Sequence, residues 1–212
     1  LPGKLAAKVR GLQVHNRHVE EAETGQRTAV NLQGVEKTLV LRGDVLAHPS
    51  TLERSRRLDV VFEYLPGAGK KLKNRALVRL HVGTSEIISR AVYMDRDELA
   101  PGDNAYAQFF LESPVAVMAQ DRFVVRSYSP MTTVGGGVIV DPQPLKHKRH
   151  TEKILHDFYA LHEGNEEERT AVMVERAGFE GLTMGQLAVK TGIPQAMLKK
   201  ILADNPRKLF MQ

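Results

Sequence analysis

The chain has 212 residues, 30 Lys and Arg against 25 Asp and Glu, and no cysteine. That length holds one large domain or two to three small ones. The missing cysteines exclude a disulfide framework, a thiolate metal site and a thiol nucleophile, and fit a reducing cytosol. No apolar run approaches the roughly 18 residues of a membrane span, and no signal peptide is read. The chain opens Leu1-Pro2-Gly3 and stops at Met211-Gln212, so a piece of a longer protein is expected.

Residues 1 to about 48 read as short strands. Thr28, Val30 and Leu32 alternate onto one face, and Thr38-Leu39-Val40-Leu41 forms a second apolar run before the turn at Arg42-Gly43-Asp44. Residues 56 to 142 form a second β-rich unit. Leu58, Val60, Phe62 and Tyr64 share a strand face, as do Ala76, Val78, Leu80 and Val82, and Pro66-Gly67-Ala68-Gly69 connects the two. Further strands fall at 87–93, 106–111 and 122–128. Strands every dozen residues without intervening helices predict antiparallel barrels or sandwiches.

After Pro144 the apolar period changes to 3.6. Ile154, Leu155, Phe158 and Leu161 line a helix face, with Thr151 as its N-cap. Asn165 and Glu168 cap a second helix that Gly178 stops; Thr183 and Gln186 box the start of a third that Gly192 ends. Pro194 opens a fourth, carrying Met197, Leu198, Ile201 and Leu202. The last pair is a helix-turn-helix. Arg207-Lys208-Leu209-Phe210 then reads as the start of a truncated wing.

The run Thr132-Thr133-Val134-Gly135-Gly136-Gly137-Val138-Ile139-Val140-Asp141-Pro142 invites a phosphate-loop reading, which its flanks reject. A nucleotide loop must feed a helix N-terminus. These glycines feed a β-branched run that Pro142 ends, so a glycine-bent strand is expected. No P-loop, nucleophile elbow or defensible acid–base pair is present. His15 and His18 on a strand or loop do not bring both rings to one face, so no metal site is read. The chain is expected not to be a catalyst.

Three basic clusters, at 54–57, 70–75 and 146–150, fit either solvated loops or phosphate contacts.

The stretches at 9–15, 22–32 and 42–46 resemble the second domain of translational GTPases such as elongation factor Tu. The run TVGGGVIVDP resembles the end of the third domain of the selenocysteine-specific elongation factor, and a winged helix directly after it is that family's arrangement. The resemblance covers essentially the whole chain. It implies a second-domain β-barrel lacking its first strands at 1–50, a third-domain β-barrel at 54–142 and a winged-helix domain at 145–212. It implies delivery of selenocysteinyl-tRNA to the ribosome at recoded UGA codons, in the cytoplasm. An mRNA hairpin would be gripped by later winged helices that are not in this chain. GTP and magnesium belong to the full-length protein, whose GTPase domain is likewise not in this chain; no cofactor is expected in the chain itself.

By the same resemblance, Arg27 lies in the selenocysteine pocket, and His15 borders it. A fixed guanidinium distinguishes selenolate from a neutral serine hydroxyl. Lys70, Lys71, Lys73 and Arg75 on a hairpin-like loop, and Lys146, Lys148 and Arg149 at the barrel–helix junction, are the tRNA-backbone candidates. Two other readings stay open at this point. One is a helix-turn-helix DNA-binding regulator with β-rich sensor domains, with Gln195, Lys199 and Lys200 on its recognition helix. The other is a purely structural spacer.

Overall fold

A computed structural model describes residues 5–49 and 51–204. The chain divides into two compact units, one ending at Pro49 and the other taking the remainder.

In the first unit β1 (Lys8–Val14) is flanked by β2 (Arg17–Val19) and β3 (Thr28–Gln33), all antiparallel. His15 and Asn16 both take positive φ, 51° and 62°, in the two-residue turn between β1 and β2. This is the backbone that lets a tight hairpin follow the strand twist. Thr28, Val30 and Leu32 share the half-buried face, as their alternation predicts. The apolar run at 38–41 is not a strand. Residues Lys37–Leu39 make one 3-10 turn, and Leu39, Val40 and Leu41 are exposed. Its N–H groups are met locally instead of by a strand: Leu39 donates to the Glu36 carbonyl, Val40 to the Lys37 carbonyl and Leu41 to the Asp44 carboxylate.

The second unit contains a closed barrel. Its walls are β4 (Arg54–Tyr64), β6 (Leu77–Val82), β7 (Ser85–Tyr93), β9 (Asn104–Ala116), β10 (Arg122–Ser127) and β11 (Thr133–Asp141), in the order β10-β11-β4-β9-β7-β6 with β6 closing onto β10. The short strands β5 (Leu72–Lys73) and β8 (Glu98–Leu99) pair beside it. Inward positions follow strict alternation: Leu58, Val60 and Phe62 on β4, Val78 and Leu80 on β6, Ala91 and Tyr93 on β7, and Phe109 on β9 are fully buried. Phe62, Phe109 and Phe123 form an edge-to-face cluster at the centre, with centroids 5.6 Å apart for two of the pairs.

The glycine run lies in β11, hydrogen-bonded to β10 on one side and β4 on the other. Its glycines answer a packing need. A Cβ on Gly136 would lie 2.7 Å from the Phe123 carbonyl oxygen, and one on Gly137 would collide with the Val61 carbonyl. β11 fits between β10 and β4 here only because these positions carry no side chain.

Four helices follow: α1 (Glu152–Glu163), α2 (Glu166–Ala177), α3 (Met184–Thr191) and α4 (Gln195–Asp204). Asn165 with Glu168, and Thr183 with Gln186, form reciprocal capping boxes, and Gly192 ends α3 in the left-handed conformation. Thr151 occupies the N-cap of α1, but its hydroxyl donates to the Lys148 carbonyl, 3.0 Å away, and caps no helical N–H. The wing expected from Arg207 to Phe210 lies outside the described residues.

The helices pack on the outer face of the barrel. Val61, Met94 and Val140 form one apolar core with Phe158, Leu161, Met173, Leu187 and Leu198. Tyr106 of β9 stacks on Phe158 of α1 at 5.2 Å. Outward positions that would be polar on a free barrel are therefore apolar here.

Gly137→Ala should lower unfolding free energy by about 2 kcal/mol or more, since overpacking against fixed backbone has no flexible relief. Gly67→Ala, with open space around its Cβ, should leave the midpoint of a urea titration nearly unchanged. Equal midpoints for the two variants would contradict this account of the glycine strand.

Candidate functional site

The candidate site residues fall into three groups. The first is on the small sheet. Val14 pairs with Thr28 at one end of β1 and β3. His15 follows the first and Arg27 precedes the second, so the two emerge at the same sheet end, both exposed. The strand geometry thus places together two residues that stand twelve apart in sequence.

The second group is the loop between β4 and β6. The Tyr64 hydroxyl donates to the Lys70 carbonyl at 2.7 Å, pinning the loop to the barrel. Lys70, Lys71, Lys73 and Arg75 are all exposed. Arg75 sits at φ 67° and its N–H donates to the Ala91 carbonyl at 2.8 Å, which fixes its backbone against β7. An acidic residue tempers this finger. Glu98 of β8 pairs with Lys73 in register and forms an ion pair with Lys71. The hydrogen bond and charge of Glu98 hold the Lys71 ammonium above its ordinary range. Lys70, Lys73 and Arg75 are the finger's cations without a side-chain partner among the described residues.

The third group is the barrel–helix junction, where the 146–150 run splits. Arg149 turns inward: its guanidinium donates to the Tyr93 carbonyl at 2.7 Å, to the Arg96 carbonyl, and to Asp97 at 2.7 Å. Those bonds brace the loop after β7. Lys148 is exposed. His147 is buried against Asp59, with Nε2 2.7 Å from the carboxylate. Lys146 is exposed at a junction cavity.

Beneath that cavity lies a polar cluster that no sequence motif announces. Arg176 of α2 reaches Asp59 of β4 at 3.2 Å, Asp141 of β11 at 3.0 Å and Asp157 of α1 at 3.1 Å. Lys190 of α3 meets Asp141 at 3.3 Å and the Gln143 carbonyl at 3.1 Å. The Gln108 amide donates to Asp59 and to the Leu145 carbonyl, each at 2.8 Å. Asp59 is fully buried. Burial pushes its carboxyl above the usual carboxylate range and the neighbouring Asp141 charge adds to this, while the His147 hydrogen bond and the Arg176 charge oppose it. The three carboxylates raise the Arg176 guanidinium above its ordinary value against the effect of its own burial. No cluster of His, Asp and Glu suited to a metal occurs among the described residues.

A closed six-stranded antiparallel barrel that carries helices on one outer face, with basic groups at its loops, is an architecture that the β-barrel domains of translation elongation factors share. The comparisons agree. The chain is 29% identical over 69% of its length to elongation factor 1-alpha of Saccharolobus solfataricus. It is 40% identical over 95% of its length to the selenocysteine-specific elongation factor of Desulfomicrobium baculatum. Residues 61–146 match the family described as "Selenocysteine-specific elongation factor, beta-barrel domain". The fold matches the crystal structure of a bacterial selenocysteine-specific elongation factor with a TM-score of 0.68 at 23% identity, over 91% of this chain and 29% of that one. The chain belongs to the selenocysteine-specific elongation factor family. It spans about a third, 32%, of the length of the Desulfomicrobium relative. Neither a DNA-binding regulator nor a spacer module finds support in these likenesses.

Replacing Arg176 with Ala would leave three buried carboxylates without their shared cation. Unpairing a buried charge costs about 3–5 kcal/mol. Arg176→Ala should therefore expose the linker at 142–151 to limited proteolysis under conditions where the parent chain resists. Equal cleavage rates would show that the apolar contacts alone seat the helices.

Proposed function

We propose that this chain is the tRNA-holding part of a selenocysteine-specific elongation factor, one that brings selenocysteinyl-tRNA to the ribosome in the cytoplasm. Family membership carries the reading, and the placement of the basic groups supports it. The sheet end bearing Arg27 and His15 contributes to the pocket for the selenocysteine side chain. Selenol is largely ionised at neutral pH, and an arginine that never loses its charge favours selenolate over a serine hydroxyl. The finger at 70–75 grips the tRNA backbone through Lys70, Lys73 and Arg75, with Lys71 held partly in reserve by Glu98. Phosphate contacts of this kind position an RNA without reading its bases.

In the same proposal Lys148 and Lys146 face RNA, whereas Arg149 serves to hold the loop at 94–97 in place. The helices at 152–204 form a winged-helix adaptor. GTP and magnesium enter through the whole factor, and no residue of this chain is assigned to them.

The test uses a full-length factor of the family carrying this chain, loaded with GTP. Arg27→Ala should weaken binding of selenocysteinyl-tRNA by about tenfold or more, the value of a charge-assisted hydrogen bond, and change seryl-tRNA binding much less. The pair Lys70→Glu and Lys73→Glu should weaken both and flatten the salt dependence. Equal losses for the two tRNAs in Arg27→Ala would remove the selectivity role. An unchanged salt slope in the finger pair would remove the backbone role.

A further inference from the structure

The basic cluster at 54–57 has no part in the reading above, and the fold brings two of its arginines to the cluster at 146–150. Arg54 and Arg57 of β4, Lys146 of the linker, Lys153 of α1, Arg176 of α2 and Lys190 of α3 surround one cavity of about 640 Å³. That volume lies within the range of small-ligand pockets. Four acids face the same space: Glu53, Asp141, Asp157 and Glu180.

The charges sort into two layers. Arg176, Lys190 and Lys153 lie within 4 Å of Asp141 or Asp157, and Arg176 also meets the fully buried Asp59. The floor is thus close to neutral. The remaining lining charges are Arg54, Arg57 and Lys146 against Glu53 and Glu180; the side chains of Arg57 and Lys146 make no hydrogen bond or ion pair among the described residues. A cation beside a low-dielectric, internally matched floor projects its field into the cavity more strongly than one on open surface. Arg57 is half-buried at the strand end, which presents its planar fork with little freedom to lose. That fork is the geometry that takes a phosphate bidentately.

A second feature belongs to the same wall. Glu180, Gly181 and Leu182, in the connection from α2 to α3, line the cavity. The residue before them, Phe179, is 95% exposed. It stands between Gly178 and Gly181, whose φ values of 56° and 65° turn the chain sharply and carry the ring outward. A whole aromatic ring in water, next in sequence to the wall of a cavity that carries unpaired cations, is the pairing used for unstacked nucleotides: cations for the phosphate, a ring for the base.

We infer that the barrel–helix junction binds single-stranded RNA, seating a phosphate between Arg57 and Lys146 and stacking an unpaired base on Phe179. This site is separate from the finger at 70–75 and does not rest on the finger's assignment.

The experiment is a fluorescence anisotropy titration of labelled hexauridylate against the 212-residue chain at two salt concentrations, with inorganic phosphate and uridine monophosphate as competitors in separate arms. Arg57→Ala combined with Lys146→Ala should weaken binding at least tenfold and reduce the magnitude of the logarithmic salt slope by about 0.7, the value for one neutralised single-strand phosphate. Phe179→Ala should weaken it at least about fivefold. Neither change removes a side-chain hydrogen bond or ion pair among the described residues, and circular dichroism melts should match the parent. Uridine monophosphate should compete better than inorganic phosphate. The inference is overturned if hexauridylate does not bind, if Phe179→Ala binds as the parent does, or if inorganic phosphate competes as well as the nucleotide. It is overturned too if only Lys70→Glu with Lys73→Glu weakens binding, a result that leaves the tRNA reading of the finger intact.

Discussion

Arg176 meets Asp59, Asp141 and Asp157 from a single guanidinium, and the arrangement of the larger unit depends on that convergence. The three carboxylates come from two barrel strands and the first helix, while the cation comes from the second helix. None of the three acids can be buried comfortably alone, because desolvating a carboxylate without a partner costs several kcal/mol. Together they can be buried only if α2 lies against the barrel in one register. The apolar contacts of Phe158, Leu161 and Met173 supply the adhesive area, and adhesive area alone tolerates sliding. The polar cluster supplies the orientation. Gln108, Lys190 and Lys153 complete it at the second oxygens of Asp59, Asp141 and Asp157, and His147 shares the Asp59 oxygen that Arg176 meets.

The consequence reaches the linker. Pro142 and Pro144 are buried, the Gln143 N–H donates to Asp141 at 2.9 Å, and Arg149 is bonded to three groups of the loop after β7. A segment composed like a hinge is instead held at Pro142, Gln143, Pro144, His147 and Arg149. An RNA-binding reading of the family then acquires a mechanical element. Packed atoms and charges connect the helices to the barrel directly, so a load applied at the helices has a contact path to it.

Much of this was legible in the residues. The alternation from Leu58 to Tyr64 gave both the strand and its inward face. The capping boxes at Asn165 and Thr183 gave helix starts to the residue, because capping chemistry is local. The triple glycine was readable as a strand because Val138-Ile139-Val140 follows it. The run at 38–41 misled because strand propensity says nothing about whether a neighbour is present. The junction cluster was invisible for a related reason. Asp59, Asp141, Asp157 and Arg176 lie as much as 117 residues apart, and each alone reads as an ordinary surface charge. Asp59 did carry a hint, as an acid inside an otherwise apolar strand, and its outward parity made solvent the natural assumption. Arg149 likewise read as part of a basic patch, although its guanidinium is occupied by backbone carbonyls.

Native-state hydrogen exchange tests the central claim that the barrel and helices form one cooperative unit locked by buried charge. The slowest amides of α2, at Val172 and Met173, should share one opening free energy and one denaturant dependence with those of Val60 and Ile139 in the barrel. Helical amides that exchange through a cheaper opening, while the barrel strands stay protected, would contradict it.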